Sequence, residues 1–161
     1  MASARLPTAL TANFDKLIDS DDFPAARALI QPLLSSGDAE ALFLSSTISL
    51  SGEDQDGFEI RSLMDLRRAA AKGYAPAVYR LGCYYRFGDF VQRDDGVAAG
   101  YFREAADAGL PAAQYEYGLC LLRGKGVASD QEAALRLVRM AAFGGDELAL
   151  HFLLNESSDT G

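Results

Sequence analysis

Small and apolar positions recur along this chain at a fixed interval. Gly37, Gly73, Gly109 and Gly145 are spaced by 36 residues, and four places after each stands Ala41, Ala77, Ala113 or Ala149. Other phases agree. Gly52, Gly88 and Gly124 recur, as do the pairs Ala69-Ala70, Ala105-Ala106 and Ala141-Ala142, with Leu33-Leu34 in that phase of a degenerate first unit. Asp22, Asp94 and Asp130 share a further phase, which Phe58 breaks. Self-similarity of this kind marks an array in which each unit is one supersecondary element packed on the next.

Each unit reads as two helices. The first runs from just after the period-marking glycine to about Gly52, Gly88 or Gly124; the second begins near Asp22, Asp56, Asp94 or Asp130 and stops before the next such glycine. The pattern predicts helices near 8–20, 23–35, 38–51, 58–72, 75–87, 95–108, 111–123, 130–144 and 146–155, with no strand candidate. Ser129 followed by Glu132 reads as a capping box, Asp38 and Asp146 as caps, and Pro76 and Pro111 as first-turn residues whose missing N–H costs little. Ala41, Ala77, Ala113 and Ala149, with Gly82 and Gly118, fall where antiparallel helices cross, so backbones approach closely while Leu81, Leu121, Leu137 and Tyr101 fill the space around them. One hairpin cannot bury its own apolar faces. Neighbours therefore stack, which predicts an all-α superhelix with one concave surface. The expected organisation is a single solenoid domain over 1–156: a degenerate repeat at 1–36, units at 37–72, 73–108 and 109–144, a capping helix at 145–156, and a disordered tail at 157–161.

Composition fits this picture. Ala contributes 27 and Leu 22 of the 161 residues and Trp is absent, a balance that favours helix over sheet. Charge adds a constraint on partners. With 15 Lys+Arg against 23 Asp+Glu the formal charge is −8, which disfavours nucleic acid and anionic membrane and would steer a basic protein inward. Met1–Thr11 lacks the apolar run of an export signal, and no stretch has the ~20 apolar residues of a membrane span, so a cytoplasmic protein is expected. Cys83 and Cys120 read as free thiols.

The residues of the later units carry a resemblance. Ala112-Ala113-Gln114-Tyr115-Glu116-Tyr117-Gly118, then Gly124-Lys125-Gly126-Val127, Asp130, Ala134, Ala141-Ala142 and Gly144-Gly145, resemble a Sel1-like repeat (SLR), a relative of the tetratricopeptide repeat. The unit from Gly73 to Gly109 matches through Ala77, Tyr79, Leu81-Gly82, Tyr85, Gly88, Asp94, Tyr101 and Ala105-Ala106, although Phe90 replaces the second loop glycine. The unit from Gly37 departs further: Ser45-Ser46 stands where Leu-Gly is expected, and Asp65 where the family favours an aromatic. Residues 1–36 resemble the family only in their second helix. The resemblance implies a short right-handed α-α solenoid that binds other proteins as an adaptor, a regulator or a bacterial immunity protein, and it implies no catalysis and no cofactor. The paired cysteines of secreted family members are absent.

Several residues invite sharper readings that their surroundings weaken. His151, the only histidine, shares its phase with Phe43, Tyr79 and Tyr115 and reads as a packing residue. Glu53-Asp54-Gln55-Asp56-Gly57 lacks the distal Glu of a calcium loop and reads as a solvated acidic connection. Gly124-Lys125-Gly126-Val127 is too short for a phosphate loop, and Asp94-Asp95 reads as helix capping.

In helical-hairpin solenoids the first helix of each unit lines the concave face. This makes Tyr79, Arg80, Cys83 and Arg86 on one helix, with Tyr115, Glu116, Leu119 and Arg123 on the next, the candidate partner-binding residues. No catalytic or metal-ligating set is expected. The partner is expected to be a protein: a peptide or helix in the groove, or a basic toxin or effector on the acidic surface. The chain itself would be a monomer or a dimer.

Overall fold

A computed structural model of the protein describes residues 7–158, and among these it contains nine helices and no strand. They are α1 (Thr8–Asp19), α2 (Phe23–Ser36), α3 (Ala39–Ser45), α4 (Gln55–Ala71), α5 (Ala75–Phe87), α6 (Asp95–Asp107), α7 (Pro111–Arg123), α8 (Gln131–Phe143) and α9 (Glu147–Ser158). The all-α helical-repeat class follows directly. Helix α9 continues two residues into the stretch expected to be a tail; 159–161 lie outside the described residues. Backbone contacts divide the chain into two compact units, Met1–Ala77 and Val78–Gly161.

Aspartates set the helix starts. The side chains of Asp22, Asp54, Asp94 and Asp130 accept hydrogen bonds from the N–H groups of Ala25, Gly57, Val97 and Ala133 at 3.1, 2.8, 2.9 and 2.9 Å, each satisfying a donor that has no partner within its helix. Asp38 and Asp146 do the same for Ala41 and Ala149. Asp130, rather than the expected Ser129–Glu132 box, caps α8. Where Phe58 breaks the aspartate phase, the cap falls one turn earlier at Asp54, and α4 is 17 residues long against 13 in α6 and α8.

In the first unit, Phe14, Ala26, Ile30, Ala41 and Ile48 form a core flanked by Leu10, Leu17, Phe23, Leu29 and Leu33. Helix α3 is only seven residues long, shorter than the expected 38–51, because side chains take its C-terminal carbonyls. Ser46 Oγ donates to Phe43 O at 2.6 Å and Thr47 Oγ1 to Leu44 O at 2.7 Å, while the Arg61 guanidinium donates to Ser45 O at 2.9 Å and Ile48 O at 2.5 Å. Arg61 also grips Glu53 through both carboxylate oxygens, at 2.7 and 2.8 Å. Glu53 is therefore no solvated loop residue. Its carboxyl is held below the usual range by the Arg61 hydrogen bond, against an opposing push from burial. The residues that depart from the repeat pattern belong to this cluster: buried Ser45 donates to Asp65 at 2.7 Å and accepts from Arg27, and buried Ser62 donates to Ser46 O at 2.7 Å. Asp65 in turn has Arg68 at 3.5 Å and Arg61 at 3.8 Å.

The second unit packs apolarly. Ala98, Ala99, Phe102 and Cys120 form one core with Tyr79, Cys83, Tyr85, Tyr117 and Val127 around it, and Val138, Ala141 and Ala149 form another with Tyr115, Phe152 and Leu153. The expected crossings are present. Ala113 and Ala149 are wholly buried, and a Cβ on Gly82 would lie 2.7 Å from the Phe102 ring, so only glycine lets α5 settle on α6. The turn after α7 closes onto the start of α6 at Gly126, whose φ is +73° and whose added Cβ would stand 1.9 Å from Asp95 O. One period earlier, Phe90 occupies the same left-handed backbone at φ 59°, its ring set edge-on against Tyr84 at 4.9 Å.

Candidate functional site

All eight residues expected to meet a partner lie in the second unit, on α5 and α7. Repeat-phase aromatics are packed at one end and polar at the other. The Tyr79 ring lies 5.7 Å from Phe102 and the Tyr115 ring 6.3 Å from Phe152, so each ring is anchored in a core while the residue stays half-exposed. Burial pushes both hydroxyls above the ordinary tyrosine range, and the neighbouring Glu116 and Asp146 carboxylates push the same way; Cys83 adds to this at Tyr79. Both hydroxyls are thus protonated around neutrality and serve as donor and acceptor together.

Arg86 and Glu116, two of the charges expected to face a partner, form an ion pair between α5 and α7. Their side chains are 16% and 20% exposed, so most of each is spent on the other. The Arg86 guanidinium further lies 5.7 Å from the Phe87 ring centroid and 5.9 Å from that of Phe102. Arg86 joins two helices and fastens them to an aromatic core. Leu119 is a buried residue, 7% exposed, and contributes packing rather than contact surface. Arg80 is half-buried beside Cys83, and Arg123 is exposed at the C-terminus of α7, where a cation also complements the helix dipole.

Asp146 is the residue that sequence reasoning assigned only to capping. It caps α9 through Ala149 N–H at 2.8 Å, and its charge also reaches the hydroxyls of Tyr79 and Tyr115. Its signal in the sequence was its place before the first turn of the last helix. His151 is exposed, and the aromatic packing expected of its phase passes to its neighbour Phe152.

The site's chemistry is that of recognition. Burial raises both thiols, Cys83 and Cys120, above the ordinary range, which keeps them protonated and poorly nucleophilic. Cys83 lies beside Tyr79, one turn away on α5. Among the described residues no group of three or more His, Cys, Asp or Glu is placed to hold a metal ion, and no helix is long and apolar enough to cross a membrane. What the face offers is two neutral hydroxyls, the exposed Arg123 guanidinium and the Asp146 carboxylate.

Comparison with known proteins agrees with the repeat reading. The Sel1 repeat model matches residues 75–110 and 111–146, the two units whose motifs are most regular. A Sel1 repeat protein from Oxalobacter formigenes has a similar structure, with a TM-score of 0.72 and 33% identity over 80% of this chain and 98% of that one. The protective antigen c5321 of uropathogenic Escherichia coli, which displays an SLR fold, is 32% identical with a TM-score of 0.65, over 72% of this chain but 25% of its own. Helicobacter pylori cysteine rich protein B, at 20% identity and a TM-score of 0.62, shares the fold.

Proposed function

The chain belongs to the Sel1-repeat family, a family generally of protein-interaction modules on a typically non-catalytic scaffold, and from that premise we propose that it binds a partner protein through the α5–α7 face of its second unit. The observation that carries this reading is the pair of repeat-phase tyrosines, anchored at their rings, with neutral hydroxyls that both lie near Glu116 and Asp146. Rigid aromatic anchors with a polar tip suit recognition because they supply contact area at low entropic cost. Arg80 and Arg123 are the contact charges of this site; Arg86 and Glu116 brace it. The role is that of an adaptor or regulator in the cytoplasm.

Net charge favours a second reading. A chain of charge −8 captures a basic protein quickly, and an inhibitor such as an immunity protein acting on a basic effector would use that field. Affinity capture from the native host separates the two. One stoichiometric toxin-like partner selects the inhibitor, and a housekeeping complex selects the adaptor. For a partner segment held at the α5–α7 face, R80E/R123E should weaken capture at least tenfold with circular dichroism unchanged, whereas capture of a basic effector by the acidic surface should not weaken. Undiminished capture by that variant overturns the α5–α7 assignment.

A further inference from the structure

Arg103 on α6 and Arg139 on α8 stand 36 residues apart, at one phase of the repeat. Both are exposed, and among the described residues neither side chain makes a hydrogen bond or an ion pair, on a chain that carries 23 carboxylates. Each lines a groove. That of Arg103 holds about 220 Å³ between Gly96, Gly100 and Tyr117, and that of Arg139 about 380 Å³ beside Pro111, Met140 and Phe143. No carboxylate lines either one. The grooves adjoin along α7, which packs on both α6 and α8: Tyr117 lines the first, and Gln114, one turn earlier on the same helix, lines the second.

Gln114 marks these grooves as a site. The residue is only 7% exposed, yet its side-chain amide has no hydrogen-bond partner among the described residues. Buried amides are normally paired, so one that lines a groove unpaired holds a donor and an acceptor ready for a group from outside the fold. The α6 wall is open as well. A Cβ on Gly100 would meet nothing within 4 Å, so packing does not require glycine there, and the same phase on α8 is filled by Arg136, paired with Glu132.

We propose that the two grooves hold an acidic, extended segment of a partner protein, its carboxylates on Arg103 and Arg139 and a peptide group on the Gln114 amide. Charge complementarity selects this occupant. Two unpaired guanidiniums, with no carboxylate lining the grooves, call for an anion, and the planar fork of arginine fits a carboxylate with two parallel hydrogen bonds. The apolar walls at Pro111, Met140 and Phe143 select polypeptide over nucleic acid, since a phosphodiester chain has no apolar side chain to lay against them. None of these residues belongs to the α5–α7 contact set of Tyr79, Arg80, Tyr115 and Arg123, so the site adds a second contact to that face.

Fluorescence anisotropy of the full chain with a labelled dodecapeptide alternating Glu and Leu tests this. The wild type is expected to bind it with a Kd of about 10–100 µM, and R103E/R139E to weaken binding at least tenfold with circular dichroism unchanged. Gln114→Leu should weaken binding at least threefold while the urea midpoint holds or rises, because an unpartnered amide gives way to an apolar group of similar size. R80E/R123E should bind the peptide as the wild type does. The proposal is overturned if the wild type at about 1 mM leaves the peptide free, if R103E/R139E binds it undiminished, or if Gln114→Leu loses stability and no affinity. It is also overturned if a peptide alternating Gln and Leu, or a labelled oligothymidylate, binds as tightly: the first result would leave the arginines idle, and the second would make the face a general anion site.

Discussion

At the scale of one residue, Phe90 shows how a repeat tolerates the loss of its glycine. A left-handed backbone costs a non-glycine residue roughly 1–2 kcal/mol, and an edge-on aromatic pair returns about 0.5–1.5 kcal/mol beyond its burial. Phe90 meets both conditions, with φ at 59° and its ring 4.9 Å from that of Tyr84. The two terms predict opposite variants. Phe90→Gly removes the strain with the stack and should stay within ~1 kcal/mol of wild type, whereas Phe90→Ala keeps the strain and loses the stack. Urea denaturation should place Phe90→Ala about 1–2 kcal/mol below Phe90→Gly, and equal midpoints would mean that the backbone there is unstrained. Gly126 has no such escape, because an atom added to it lands on Asp95 O.

At the scale of elements, the third and fourth helices are held by polar bonds where the second unit uses apolar side chains. Ser45 and Asp65 stand at phases filled by Leu81 and Tyr101 one period later, and a hydroxyl donating to a carboxylate at 2.7 Å stands where that unit has an aliphatic and an aromatic side chain. A double-mutant cycle with Ser45→Ala and Asp65→Ala should give a coupling of about 1–2 kcal/mol, with the Asp65 change costing more because it strips a carboxylate from beside Arg61 and Arg68. Additive losses would deny the bond its part in the fold. Glu53 supplies a pH signature. Its folded pKa lies below the unfolded value, so its contribution is present above the ordinary glutamate pKa of about 4.3 and is lost as pH falls through the lower folded value. Glu53→Gln should therefore be most destabilised near neutral pH, and the gap to wild type should close below about pH 4; a gap constant with pH would contradict the Arg61 pairing. The helices themselves were legible because glycine, alanine and capping aspartate act locally, at fixed spacing. The polar cluster was not, since Arg27, Ser45, Glu53, Arg61 and Asp65 come from three helices and a loop, and sequence shows only that the pattern fails. The site was half legible for the same reason. Tyr79 and Tyr115 repeat at 36 residues, but Arg86 and Glu116 are 30 apart, out of phase, and only the fold reveals that they neutralise each other.

At the scale of the whole molecule, net charge and local charge point to different partners, and salt decides between them. A formal charge of −8 sets up an attractive field for a basic protein, which raises the association rate and is screened over about 10 Å at 0.1 M salt. Arg80 and Arg123 are the exposed or half-exposed cations of the α5–α7 face, since Arg86 is spent on Glu116, and they suit an acidic segment instead. The two cases differ in the rate constant rather than in affinity alone. Steering by net charge acts before contact, so a basic partner should associate at least tenfold more slowly when salt rises from about 0.02 to 0.5 M, with dissociation changed far less. An acidic segment must approach against the net charge. Screening then speeds its arrival while weakening its contacts with Arg80 and Arg123, so association and dissociation both rise with salt. Stopped-flow or surface-based kinetics at three salt concentrations reads the sign of the association slope. A falling slope that survives in R80E/R123E would move the partner away from the α5–α7 face and onto the acidic surface.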